Sequence, residues 1–468
     1  MDSEILKIHE AYRKGSLNCS GLIASRIGEL EKSNHNSVNY MLSDLAMEMA
    51  AEADDRIKSG KELRPLEGIP FGIKDVYMLQ GTSSSGSSGI LKNYKAPYTA
   101  TAIVKLLDAG AIPVARENCD CFGHGSSNEN SYFGPARNAL DKNLVPGGSS
   151  GGSAVNVARG FTTFSIGGDT GGSIRQPSGY NKVYGLKPTY GRISRFGLMA
   201  YASSTDCVGP ISRSLEDIRL LINIMSGKDS RDQTTFKSDA IPDEIFRNDP
   251  DLKKIRIGYY RNFIESDNLD ENIRNDFIRL IGILKEQGNA VEELEFYDDT
   301  ILVSAYYVLA MAETASNLAR LDGSVYGERV AGESIRDQYA LTRSENLTEE
   351  TRKRIVGGNQ VLAHGYAEDI YQKARYLRKM ITDSFNRDFR NVGIILSPVT
   401  PNTPPLLGSS LKNPMVMYLS DAYTVGFSLG GLPALTAPLG TDTGVQITAE
   451  KNGEERILKF AKYLKEIL

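Results

Sequence analysis

The chain has 468 residues, 40% hydrophobic and 24% charged, which is the balance of a folded globular protein and excludes disorder as the default. Its formal net charge is only -4 and it carries no long lysine or arginine block, so it does not read as a chain that grips a nucleic-acid backbone by itself. No apolar run approaches the roughly 20 residues that cross a bilayer, and the charged amphipathic start "MDSEILKIHEAYRKGS" is no signal peptide, so a cytoplasmic location is expected.

In chain order, residues 1–60 show apolar positions at spacings of three and four in "EILKIHEAYRKG", "SGLIASRIGELEKSN" and "YMLSDLAMEMAAEADDRIKSG". This spacing predicts two or three amphipathic helices, packed peripherally on a larger core. From residue 66 the texture changes. "GIPFGIKDV" reads as a strand ending at Lys74, and "TATAIVKLLDAGAIPVARE" as a helix stopped by Gly110 and followed by a strand, the rhythm of an α/β fold. "CDC" at 119–121 lacks the second cysteine or histidine pair of a zinc site, and Cys19, Cys119, Cys121 and Cys207 make no disulfide framework in so long a chain.

Residues 145–154, "VPGGSSGGSA", have the composition of a flexible linker but run straight into the apolar "VNVARG". Ala154, Val155, Val157 and Ala158 mark a helix that ends at Gly160. The strand "FTTFSI" follows and turns through "GGDTGGS", residues 167–173. The polar stretch 227–250 could mark a domain boundary. Because "KKIRIGYY", "VGIILSPVTP" and "LPALTAPLG" read as strands of the same sheet, it is taken as an excursion within one domain spanning 1–468.

Three places could carry chemistry. Lys74, at the end of an interior strand, would lose water on burial and with it its charge, leaving an amine that can act as a base. The 167–173 turn could aim several N–H groups at one point, as an oxyanion hole does, with Ser173 as nucleophile. None of His9, His35, His124 and His364 stands in a nucleophile-elbow context, so lysine is expected to activate the serine, directly or through a second hydroxyl. No G-x-x-x-x-G-K-[ST] is present, which weakens a phosphate-binding use of the glycines.

The segment "NLVPGGSSGGSAVNVARGFTTFSIGGDTGGSIRQP", residues 143–177, resembles the core of the amidase signature family, and the resemblance extends over essentially the whole chain. It implies an α/β fold with a large mixed central sheet covered by helices on both faces, the 143–177 segment being its catalytic core. It implies a triad of Lys74, a bridging Ser149 in a cis peptide linkage, and the nucleophile Ser173. The N–H groups of Thr170, Gly171, Gly172 and Ser173 would form the oxyanion hole.

Three further stretches, 122–141, 185–217 and 304–327, look like the glutamine-hydrolysing subunits of tRNA-dependent amidotransferases within that family. That likeness implies a glutamine clamp of Tyr306, Arg354 and Asp421, and no metal or cofactor on this chain. It also implies B and C partner subunits, with misacylated tRNA, ATP and Mg2+ handled mainly by the B subunit. His124, Cys207 and "YNKVYG" depart from the family's usual residues. Free-standing hydrolysis of aliphatic or aryl amides, and a scaffold without activity, are the alternatives.

Overall fold

Short segments of four to six residues, most of them apolar, form the strands of one eleven-stranded mixed sheet in the computed structural model, which describes residues 2–246, 250–438 and 443–468. The strands are β1 (Val38–Met41), β2 (Pro70–Lys74), β3 (Ile112–Glu117), β4 (Phe164–Asp169), β5 (Tyr184–Lys187), β6 (Cys207–Ser212), β7 (Ile257–Tyr260), β8 (Val291–Leu294), β9 (Ile394–Pro398), β10 (Ala434–Ala437) and β11 (Val445–Thr448). Their order across the sheet is β1-β3-β2-β4-β6-β5-β10-β11-β9-β7-β8. β2 runs parallel to both β3 and β4, whereas β4, β6, β5, β10, β11 and β9 alternate in direction.

β2 and β4 are buried along their whole length, which is why they read as continuous runs rather than alternations. Phe164 and Ile166 of β4 belong to the main apolar core. Ile211 of β6 packs instead with Ala154, Val157, Ile174 and Val183 in a separate cluster beneath the helix Gly151–Ala158. The helices Leu215–Met225 and Glu454–Ile467 pack on β5, β6, β10 and β11. Ser214 caps the first of these by accepting from Asp217 N–H, with two acidic residues in the opening turn.

The amino-terminal region differs from the pattern reading. Three helices form there, Glu4–Arg13, Cys19–Glu31 and Ser43–Lys58, but "VNYM" between the second and third is β1, the edge strand of the sheet, antiparallel to β3. Four residues are too few to show a period of two, and an adjacent helix pattern absorbs them. Residues 247–249 of the polar stretch and the last two residues of "LPALTAPLG" lie outside the described residues.

Two helices on the carboxyl-terminal side of the site, Asp299–Asn317 and Glu349–Leu362, approach each other closely. A β-carbon at Gly358 would overlap the carbonyl oxygen of Met311 and meet the Ala315 side chain at 2.9 Å. Helix propensity favours alanine over glycine by about 1 kcal/mol, while overpacking a close contact costs about 1–3 kcal/mol. Packing should win: Gly358→Ala is expected to lower stability, read as a lower urea midpoint by circular dichroism.

Candidate active site

The parallel pair β2 and β4 ends on one edge of the sheet, and the site is built there, at the carboxyl ends of the strands. Lys74 closes β2 and is 1% exposed. Its Nζ lies 2.7 Å from Ser149 Oγ, 2.9 Å from Ser150 Oγ and 3.3 Å from the Gly168 carbonyl. Ser150 Oγ donates to that same carbonyl at 3.2 Å, so toward the lysine it can only accept. A neutral amine has two N–H groups and one lone pair. With both N–H groups directed to Ser150 and Gly168, the lone pair is left for the hydroxyl of Ser149. Burial pushes the Lys74 pKa down, and the nearby Cys119, Asp120, Asp169 and Asp206 oppose that shift without reversing it.

Ser149 follows a cis peptide bond from Gly148, as the resemblance implies. Gly148 N–H donates to Gln176 Oε1 at 2.8 Å, and Ser150 N–H donates to the carbonyl of Ser173 at 3.1 Å. The glycine-rich segment is therefore pinned on both sides and leads directly into the helix Gly151–Ala158.

Ser173 lies in the turn after β4, which is shaped by a buried ion pair. Asp169 accepts from the N–H groups of Ile174 and Arg175 at 3.1 and 3.3 Å, and from the Arg175 guanidinium at 2.9 and 3.0 Å. Burial alone would raise the Asp169 pKa; the Arg175 charge holds it below the usual value. Asp169 takes the N–H groups of residues 174 and 175, while those of Thr170, Gly171, Gly172 and Ser173 have no hydrogen-bond partner among the described residues, and neither does the Ser173 hydroxyl. A cavity of about 20 Å³ bounded by Lys74, Ser149, Gly168, Thr170 and Asp206 has room for one water. Phe122, Leu198 and Met199 separate it from a larger cavity of about 330 Å³.

Tyr306 and Asp421 reach this turn from two later segments, and Arg354 stands behind them, its guanidinium against the Tyr307 ring that meets Asp421. The Tyr306 hydroxyl stands where a side chain on Gly171 would meet it at 2.6 Å, and Asp421 Oδ1 would lie 3.4 Å from a β-carbon on Gly172. Arg354 is 2% exposed. It donates through Nε to Glu350 at 2.6 Å and through Nη1 to the Tyr201 hydroxyl at 2.5 Å, while Nη2 is buried without a hydrogen-bond partner among the described residues. The rings of Tyr307, Tyr201 and Tyr418 surround the guanidinium at 5.1, 5.5 and 5.8 Å. Asp421 accepts from the Tyr307 hydroxyl at 2.9 Å, and burial pushes its pKa up to about 7.

A family model described as Amidase matches residues 23–458. The chain belongs to the amidase family. It is 43% identical over 401 residues to the A subunit of the Glutamyl-tRNA(Gln) amidotransferase of Sulfurimonas denitrificans, covering 84% of this chain and 88% of that one. The corresponding A subunit from Ruthia magnifica is 36% identical, with 98% and 95% covered. The crystal structure of the Glutamyl-tRNA(Gln) amidotransferase A subunit from Thermotoga maritima superimposes with a TM-score of 0.74 at 31% identity, over 96% of this chain and 94% of that one.

Several neighbours of this amidase site are not legible in the sequence. Tyr307 contacts Asp421, whereas the sequence singles out only its neighbour Tyr306. Glu350 could have been found, since it stands four residues before Arg354 on one helix. Ser150, Tyr201, Gln176 and the Asp169–Arg175 pair give no local signal. Of the departures, His124 is a buried ring between the Cys121 carbonyl and Thr314 Oγ1, both at 3.0 Å, packed on Tyr201. Burial and then the Arg354 charge push its pKa to about 3, so it is neutral. Cys119, Cys121 and Cys207 are buried thiols, and no group of three or more His, Cys, Asp or Glu could hold a metal among the described residues.

Asp421 binds its proton more tightly folded, at about 7, than its ordinary value of 3.8. The unfolded chain therefore releases that proton first, and this group's contribution to stability falls as pH rises from about 4 to about 7 and stays low above it. Asp421→Asn lacks this dependence. Its melting temperature relative to wild type is expected to rise across that window and then level off, measured by calorimetry from pH 4 to pH 8.

Proposed function

We propose that this chain is the glutamine-hydrolysing subunit of a tRNA-dependent amidotransferase, working as one amidase domain in the cytoplasm. The observation that carries the reading is the buried Arg354, its Nη2 unpartnered among the described residues, linked through Tyr307 to Asp421, which lies against the turn of Ser173. A free amino acid offers a carboxylate and an ammonium. Arg354 Nη2 would take the first and Asp421 the second, with Tyr306 adding a hydroxyl contact. A free-standing amidase of aliphatic or aryl amides has no use for such a pair. The relatives that are A subunits of Glutamyl-tRNA(Gln) amidotransferases support the same choice.

In the proposed reaction Ser173 Oγ attacks the side-chain amide carbon of glutamine. Ser149 takes its proton and passes its own to the lone pair of Lys74. The N–H groups of Thr170, Gly171, Gly172 and Ser173 stabilise the oxyanion, each donor being worth about 2.7–4 kcal/mol in comparable sites. The proton returns along the relay to the leaving nitrogen, ammonia departs, and water hydrolyses the glutamyl ester on Ser173. The ammonia then serves a partner B subunit, where ATP and Mg2+ activate misacylated Glu-tRNA(Gln) or Asp-tRNA(Asn), with a C subunit completing the complex. The small net charge of this chain fits a partner that holds the tRNA.

Two measurements test this reading. Ser173→Ala is expected to lower ammonia release from glutamine by at least about a thousandfold with the melting curve unchanged; near-normal turnover removes Ser173 as nucleophile. The wild-type rate should rise with pH and level off below the ordinary lysine value of 10.5, as the buried amine sheds its proton. Lys74→Arg, which keeps its charge, should stay inactive across that profile.

A further inference from the structure

Gln176 is buried at 0% exposure, three residues beyond Ser173 in the short helix Arg175–Tyr180. Its side-chain amide uses both ends. Oε1 accepts from Gly148 N–H at 2.8 Å, and Nε2 donates to Ser420 Oγ at 2.9 Å. The Ser420 hydroxyl donates its own proton to the Met417 carbonyl at 2.6 Å, so toward Gln176 it can only accept. Gly148 is bonded to Ser149, and Ser420 to Asp421. One amide group thus joins the peptide carrying the proton-relay serine to the segment carrying the ammonium-binding carboxylate.

We propose that Gln176 is a positioning residue that makes the seating of the substrate's amino-acid head on Asp421 set the placement of Ser149 against Lys74. The proposal rests on the functional reading above and adds to it a link between the clamp and the relay. No apolar side chain can supply that link, because both contacts are hydrogen bonds to groups that are otherwise buried. Binding energy collected at the remote end of the substrate then acts on kcat rather than on KM alone. Arg175, the preceding residue, also reaches this segment by donating to the Thr424 carbonyl at 2.9 Å, but it holds the 170–173 turn and not the relay peptide.

The test is glutamine hydrolysis by the full chain, alone and co-purified with its partner subunits, for Gln176→Met, Ser420→Ala and the double variant. Gln176→Met keeps length and volume but breaks both bonds; Ser420→Ala breaks the far one of the two, along with the bonds of Ser420 Oγ to the Met417 carbonyl and Ser126 Oγ. Each single variant is expected to lower kcat by roughly tenfold to a hundredfold, the scale of a misplaced reacting group, with KM within about twofold of wild type. The double variant should be no slower than the slower single, because the two groups form one bridge.

Multiplying effects in the double variant, a raised KM with kcat retained, or unchanged kinetics would each overturn the proposal. Melting temperatures are read alongside: if Gln176→Met does not fold, Ser420→Ala must still give the kcat loss with KM kept, or the proposal fails. A wild-type enzyme inert toward glutamine would overturn the functional reading and this inference together, whereas an active wild type with insensitive variants overturns this inference alone.

Discussion

The site depends on one amine being held out of water. Lys74 reaches the interior because β2 is buried on both faces between β3 and β4, and its Nζ then meets three oxygens and no paired carboxylate among the described residues. An ammonium in that position is costly to desolvate, which lowers the amine's pKa and enlarges the share of the neutral form, the one with a lone pair to give. The two neighbouring acceptors select which direction that lone pair faces. Burial and hydrogen-bond geometry together give this amine the surroundings that the proposed role of base requires.

The rest of the architecture places the proposed nucleophile and the proposed substrate grip near that amine. Asp169 and Arg175, both fully buried, shape the turn that leaves four N–H groups unclaimed, and removing either partner of such a pair typically costs about 3–5 kcal/mol. Gly171 and Gly172 matter here for what they lack, since Tyr306, Thr424 and Asp421 occupy the space that side chains would need. Gly358 does the same for the helix that carries Arg354, allowing it to lie directly on the helix that carries Tyr306 and Tyr307. Small residues at this site thus mark close approach rather than flexibility, and the linker-like "VPGGSSGGSA" is held by hydrogen bonds to Gln176 and Ser173.

Much of this is legible before any coordinates. "GIPFGIKDV" carries a lysine where a strand enters the core, "GGDTGGS" is a turn that can gather N–H groups, and the absence of a suitably placed histidine points to lysine as the expected base. The α/β rhythm is equally readable, because buried strands and amphipathic helices write their periods locally. β1 is not, being four residues long beside a stronger helix pattern.

Residue order is enough to set the kinds of groups available and the elements that carry them: a lysine, two serines, a glycine-rich turn and an α/β scaffold. Their mutual relations exist only in the folded chain: Ser150 and Gly168 orient the amine, Tyr307 rather than Tyr306 meets Asp421, and Arg354 keeps one nitrogen unpartnered. Periodicity and turn chemistry act over a few residues, whereas these contacts join segments tens to hundreds of positions apart. A shifted pKa or an unpaired donor arises only once the surrounding side chains have excluded water.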